Sequence, residues 1–224
     1  MPIFIRPATK EDEAALSKIC LETSEAGKSG RDVHNYPSLP GEVYALPYVH
    51  IHIPDCVWGF VLVDKPTETS PPSDESVVGY TLGALDSRAF EAATAQTWWP
   101  PLREKYAEGS LVSPQPTEAD QRYIKSIMNF PAASETQIAF SPAHLHIDIL
   151  ESHQRKGWGK KLIGVAIRHL KEKGLEAVWL GMDPRNMAAA FFYERLGFHT
   201  FNGSPTGVLG ITVEEWELNG SAEV

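Results

Sequence analysis

The chain has 224 residues, with 20 Lys plus Arg against 29 Asp plus Glu, a net charge of −9 and 42% hydrophobic residues. That is enough for one domain with a sizeable core, and the acidic balance argues against general nucleic-acid affinity while permitting a cationic partner. Apolar stretches such as 60–63 are far too short for a bilayer, the start Met1-Pro2-Ile3-Phe4-Ile5-Arg6 has no signal character, and two cysteines, Cys20 and Cys56, make no disulfide framework, so a soluble cytoplasmic or nuclear protein with no membrane partner is expected.

In chain order, residues 4–6 read as a short strand. Thr9 and Asp12 have the spacing of a helix-start box, and Ala15, Leu16, Ile19 and Cys20 then recur at helical spacing. Residues 27–48 form a long connection rich in Gly, Ser and Pro and dotted with Tyr36, Tyr44 and Tyr48. A connection of this length is usually functional or partly helical, and it is expected to overlie a ligand site. Residues 57–63 and 77–85 read as two strands separated by a Pro-rich loop. Helical pieces follow at 88–97, 101–106 and 118–128, within an insertion covering 87–142. The C-terminal half reads as strand 145–150, helix 158–173, strand 177–182 and helix 186–196, ending in strands at 198–201 and 208–216. Strand-helix-strand order implies a locally parallel pair with a right-handed crossover. No repeat or linker interrupts this, so 1–224 reads as one elaborated domain.

The segment Gln154-Arg155-Lys156-Gly157-Trp158-Gly159-Lys160 lies between a strand and a helix. From His153 to Lys173 there are seven Lys or Arg and one Glu, in a chain that is acidic overall. Free N–H groups at a helix start favour anions, and glycines let a phosphate approach the backbone. The common alternative is a tight turn with a solvated basic face. No third glycine stands in register for a dinucleotide fold, and no Gly-Lys-Ser/Thr marks a P-loop.

This run resembles the acyl-CoA pyrophosphate loop of the GNAT acetyltransferases. Asn186, Ala189 and Phe192-Tyr193-Glu194-Arg195-Leu196-Gly197-Phe198 resemble the superfamily's second signature. Gly79-Tyr80-Thr81-Leu82-Gly83-Ala84-Leu85-Asp86, Trp98-Trp99-Pro100-Pro101 and His146-Ile147-Asp148-Ile149 are similar to the acetyltransferase-like domain of O-GlcNAcases, here without a glycosidase portion and with the pyrophosphate loop intact. The resemblance implies an α+β fold in three layers: a twisted, mixed, mostly antiparallel sheet between helices, splayed at its centre to admit acetyl-CoA. It also implies backbone contacts with the acyl donor at Ile149 and Leu150, phosphate contacts over Gln154, Arg155, Lys156, Gly157, Trp158, Gly159 and Lys160, and Asn186 beside the pantetheine arm. Tyr193 takes the position of the general acid, and Asp148 flanks the same centre.

A protein ammonium has a pKa of about 10.4, so attack on a thioester calls for a proton acceptor, and the departing sulfur calls for a donor. Strand alternation places His144, His146, Asp148 and Leu150 on one face. Asp is disfavoured inside a strand, so Asp148 has a reason to be there: as base, as a partner of His146, or as a structural group bonded to backbone or Arg. A metal reading of His-x-His-x-Asp finds no further ligand cluster in the sequence, and no metal is expected. Asp86 reads as a helix cap, Trp98 and Trp99 as core, and Cys20 and Cys56 as buried thiols. The leading expectation is an acetyl-CoA-dependent N-acetyltransferase working by direct attack of an amine, whether a small amine, an amino sugar or a protein lysine. The alternative is an acetyl-CoA-binding module without transfer. A strand over 210–216 is expected to be exposed and able to pair between two copies in a homodimer.

Overall fold

The computed structural model describes residues 2–111 and 113–220. The alternating apolar runs become β2 (Val57–Asp64) and β3 (Ser76–Ala84), an antiparallel hairpin at the heart of the sheet. Outside β2 lies β1 (Ile3–Pro7); inside β3 lie β4 (His144–Ile149), β5 (Ala177–Gly181) and β6 (Val208–Thr212), giving six strands in sequential order. Every neighbouring pair is antiparallel except β4 and β5, which run parallel.

Helices cover both faces. The Thr9–Asp12 box forms as expected and starts a short 3-10 turn leading into α1 (Glu13–Thr23). Leu16, Ile19 and Cys20 of α1 pack with Val61, Val63, Tyr80 and Leu82 on one face. On the opposite face α8 (Trp158–Glu172) buries Ile163, Ala166, Ile167 and Leu170 against Leu145, Val178 and Leu180. The same core holds Tyr193 of α9 (Met187–Arg195).

The connection at 27–48 is partly helical, carrying α2 (Leu39–Tyr44) and the start of α3 (Pro47–His50). The insertion contributes α4 (Ser87–Thr97), α5 (Trp99–Lys105), α6 (Glu118–Met128) and α7 (Glu135–Phe140). Leu39 and Val43 of α2 join Trp99 and Ile127 in a satellite core beside the sheet. Asp86 caps α4 by accepting from Ala89 N, and Cys20 and Cys56 are buried thiols, as the sequence indicated.

The C-terminus departs from expectation. The strand over 208–216 stops at Thr212 and becomes α10 (Val213–Gly220), while 198–201 contributes a single bridge, His199 to Gly210. The cause is a capping box: Thr212 N and Oγ1 donate to the Glu215 carboxylate, and Glu215 N donates back to Thr212 Oγ1. Trp216 then turns into the α8 core, so 210–216 is not the continuous edge strand envisaged for pairing between copies. No described helix is long and apolar enough to cross a membrane.

Candidate active site

β4 and β5 share one register pair, His144 with Trp179, and Trp179 N donates to Ala143 O. Beyond it they no longer pair. A cavity of about 2380 Å³ opens there, lined by His146, Asp148 and Ile149 of β4, Leu180 and Gly181 of β5, and Tyr193 of α9. Residues 23, 24 and 26–29 line it as well, and Gly27 packs so closely on Asn186 that a Cβ there would lie 2.6 Å from Asn186 Nδ2. Glu25 ties the loop down further by accepting from Arg122 of α6 and Arg185.

One end of the cavity is built for an anion. Gly157 is the N-cap of α8 with φ +83°, a left-handed conformation that costs other residues energy, and a Cβ there would meet nothing within 4 Å. Arg155, at φ 58°, adopts the same region two residues earlier. The free N–H groups of a fifteen-residue helix therefore begin beside an open, side-chain-free surface. Gly159 is glycine for a different reason: its Cβ would lie 2.6 Å from the Phe192 ring. Gln154, Arg155, Gly157, Gly159 and Lys160 line the cavity. Trp158 packs beside Leu162 under the Lys161 ammonium, and the Lys156 ammonium donates to Ser152 O. Leu150 lines the wall, but its N–H donates to Val78 O and its carbonyl accepts from His153 N. Ile149, one residue back, occupies a non-hydrogen-bonded position opposite Gly79, so its backbone turns toward the cleft, with Gln154 Nε2 donating to its carbonyl. Asn186 caps α9 by accepting from Ala189 N and also lines the cavity.

The other end holds a cluster of ionisable and hydroxyl groups. Asp148 Oδ2 accepts from the Tyr80 hydroxyl at 2.8 Å, and that hydroxyl lies 2.9 Å from Cys20 Sγ. Because Tyr80 donates to Asp148, the Cys20 thiol is the donor to Tyr80. Burial, with Asp148 and Cys20 alongside, pushes the Tyr80 hydroxyl far above the ordinary tyrosine range, and burial pushes the Cys20 thiol up. Both stay protonated. His146 Nε2 is 3.1 Å from Asp148 Oδ2 without the alignment of a hydrogen bond, and its ring lies between Tyr44, stacked at 5.5 Å, and Tyr80 at 5.6 Å.

Tyr193 reaches this centre from the opposite side of the sheet. Its ring belongs to the α8 core, yet the Asp148 charge, after burial, helps to raise its pKa. Among the described residues its hydroxyl has no hydrogen-bond partner.

His144 has a different role from the neighbours that share its strand face. Tyr48 Oη lies 2.7 Å from Nε2, and Ser87 Oγ lies 2.6 Å from Nδ1 and donates to Pro142 O. With Ser87 donating to a carbonyl, Nδ1 must be the protonated nitrogen, and the chain ends there. Burial, with His146 adding to it, pulls the His144 pKa down to about 4. It is a neutral structural histidine.

Cys20 also completes a group the sequence did not reveal: its sulfur, His146 and Asp148 offer ligand-type atoms within 4.8 Å of one another. The Tyr80 hydroxyl lies between Cys20 and Asp148 and hydrogen-bonds both, so a hydrogen-bonded chain already accounts for the cluster. Tyr80 and Cys20 are neighbours of Asp148 that sequence reasoning missed, whereas Tyr44 belongs to the connection expected to overlie a ligand site. Tyr80 and Cys20 sit in apolar patterns that read as core, and Tyr44 lies in the long connection.

These features have relatives. Residues 127–198 match the model of the Acetyltransferase (GNAT) family. Protein O-GlcNAcase of Rattus norvegicus is 25% identical over 193 residues, covering 86% of this chain and 20% of that protein. Mycothiol acetyltransferase of Paenarthrobacter aurescens is 31% identical over 119 residues, 52% of this chain and 33% of that protein. The crystal structure of SsHAT superposes with a TM-score of 0.77 at 31% identity, covering 95% of this chain and 99% of that one. The chain belongs to the GNAT acetyltransferase family. GNAT enzymes use acetyl-CoA as acyl donor. Gly157 and the α8 N-terminus fit its pyrophosphate, because they present backbone donors where no side chain intrudes. The chain spans about a fifth of the length of the O-GlcNAcases it matches, so it is similar to one part of them.

Proposed function

We propose that this GNAT acetyltransferase moves the acetyl group of acetyl-CoA directly to an amine, with Asp148 as proton acceptor and Tyr193 as proton donor. The observation that carries the reading is the meeting of these two groups at the β4–β5 opening from opposite faces of the sheet, one anionic and one an unpartnered phenol. The Asp148 carboxylate takes a proton from the bound ammonium, which frees the nitrogen lone pair. A C–N bond then forms at the thioester carbonyl as the C–S bond breaks. Tyr193 gives its proton to the sulfur, and the second proton leaving the nitrogen replaces it. Backbone groups near Ile149 hold the acyl donor, and the N–H groups from Gly157 to Lys160 hold its phosphates. No cysteine is placed for an acyl-enzyme, since Cys20 is buried and its thiol is held protonated.

The test is release of free thiol from acetyl-CoA with n-butylamine, glucosamine and Nα-acetyl-lysine amide as acceptors. Tyr193→Phe and Asp148→Asn are each expected to lower kcat by about a hundredfold or more while calorimetric acetyl-CoA affinity is kept. A wild-type protein that binds acetyl-CoA but turns over no amine would instead be a binding module.

A further inference from the structure

We infer that the acceptor enters as an ammonium ion, into a well walled by Tyr44, Tyr123 and His146 with Asp148 at its base, and that Tyr44 is the specificity-determining wall. The inference rests on the reading of Asp148 as the proton acceptor, and it adds what that carboxylate and its surroundings recognise.

Tyr44 is the starting observation. It keeps 42% of its surface open and lines the cavity. It stacks on His146 at 5.5 Å and meets the Tyr123 ring edge-on at 5.9 Å. Tyr123 also lines the cavity, and its phenol is raised by burial, with Tyr44, Cys20 and Asp148 adding to the effect. These rings remain neutral phenols. They offer π-faces and no negative charge, which leaves Asp148 as the anion that faces them.

Other charges nearby are engaged. Asp183, which acts on Tyr44, is held by Arg185, whose Nε donates to Oδ1 and whose terminal nitrogen donates to Oδ2. Arg122 and Arg185, both on the cavity wall, are shared by Glu25. A carboxylate at the base of an aromatic well attracts an alkylammonium through the ring quadrupoles and the ion pair together. Asp148 keeps only 24% of its side chain exposed, and this partial desolvation favours proton transfer, because an ammonium–carboxylate pair removed from water is less stable relative to neutral amine and acid.

The probe is choline, a cation with no N–H to acetylate, compared with its neutral isostere 3,3-dimethylbutan-1-ol. Both are titrated calorimetrically into the full chain saturated with CoA, so no acceptor needs to be known. Choline is expected to bind about tenfold or more tightly than the alcohol. Tyr44→Leu should remove that preference, Tyr44→Phe should retain it, and CoA affinity should stay the same in both. Equal binding of the two probes, absence of choline binding, or a preference that survives Tyr44→Leu would overturn the ammonium well. Turnover by Asp148→Asn separates the two readings. Loss of turnover in that variant without choline preference in the wild type sinks the well alone; full turnover with choline preference sinks the proton-acceptor reading alone.

Discussion

Asp148 is an unfavourable residue for a strand interior, and its surroundings explain its presence. The Tyr80 hydroxyl fixes one carboxylate oxygen and is itself fixed by the Cys20 thiol, so the acid's position is set by a chain reaching back into the buried face of α1. Tyr80→Phe keeps the ring and deletes this support. Its expected cost is about 1 kcal/mol in stability from the lost hydrogen bonds, with kcat lowered about tenfold and the KM for acetyl-CoA unchanged. Steady-state kinetics with a urea melt checks this; a rise in KM for acetyl-CoA would mean the hydroxyl shapes the cleft and not the carboxylate. Asp148 could be singled out from the sequence because it broke the strand's composition. Tyr80 could not, because a tyrosine in a β3 pattern with no exposed surface reads as packing.

At the scale of elements, two glycines in one motif do two jobs. Gly157 holds a left-handed conformation facing open space, whereas Gly159 lets α8 approach the Phe192 ring on α9. Gly157→Asp is therefore expected to cost about 1–2 kcal/mol in stability and to abolish calorimetric binding of acetyl-CoA, because it sets a carboxylate where we propose the phosphates bind. Gly159→Ala should act through packing, destabilising by about 1–3 kcal/mol as the helices are pushed apart. A Gly159→Ala melt equal to wild type would show that the ring yields freely. The motif and its place between strand and helix were legible in the sequence; the division of labour was not, because Phe192 is distant in the chain. The Thr212–Glu215 capping box was legible in principle, but the apolar alternation before it suggested a longer strand.

For the whole molecule, His144 ties the sheet to the flanking helices through Tyr48 of α3 and Ser87 of α4, and does so as a neutral group. Its pKa falls from an ordinary 6.5 to about 4 in the folded state, so between those values the unfolded chain binds the extra proton. Stability from this residue is full above about pH 6.5 and declines as pH falls toward 4, by an amount of order 3 kcal/mol. Urea unfolding at pH 7 and pH 5 should show the wild type losing more stability than His144→Gln; parallel losses would place the acid sensitivity elsewhere.

The sequence by itself indicated most of the strands and helices, though not the turn from β6 into α10, and the glycine motif at which the acyl donor is proposed to bind. Helix starts, glycine turns and the basic run after β4 are local features written in neighbouring residues, and it was their resemblance to the GNAT motifs that gave them a function. The resemblance already paired Asp148 with Tyr193, and the tertiary structure alone decided what surrounds them. Asp148 on one face and Tyr193 on the other meet where β4 and β5 part after a single register pair; Tyr44 of α2 and Tyr123 of α6 line that opening, and Tyr80 of β3 and Cys20 of α1 are buried behind Asp148. Strand separation depends on how the flanking helices pack, a sum over long-range contacts that no local pattern records. Cavity walls share this property: an aromatic residue has the same sequence signature whether it faces a core or an opening, and only the folded chain distinguishes them.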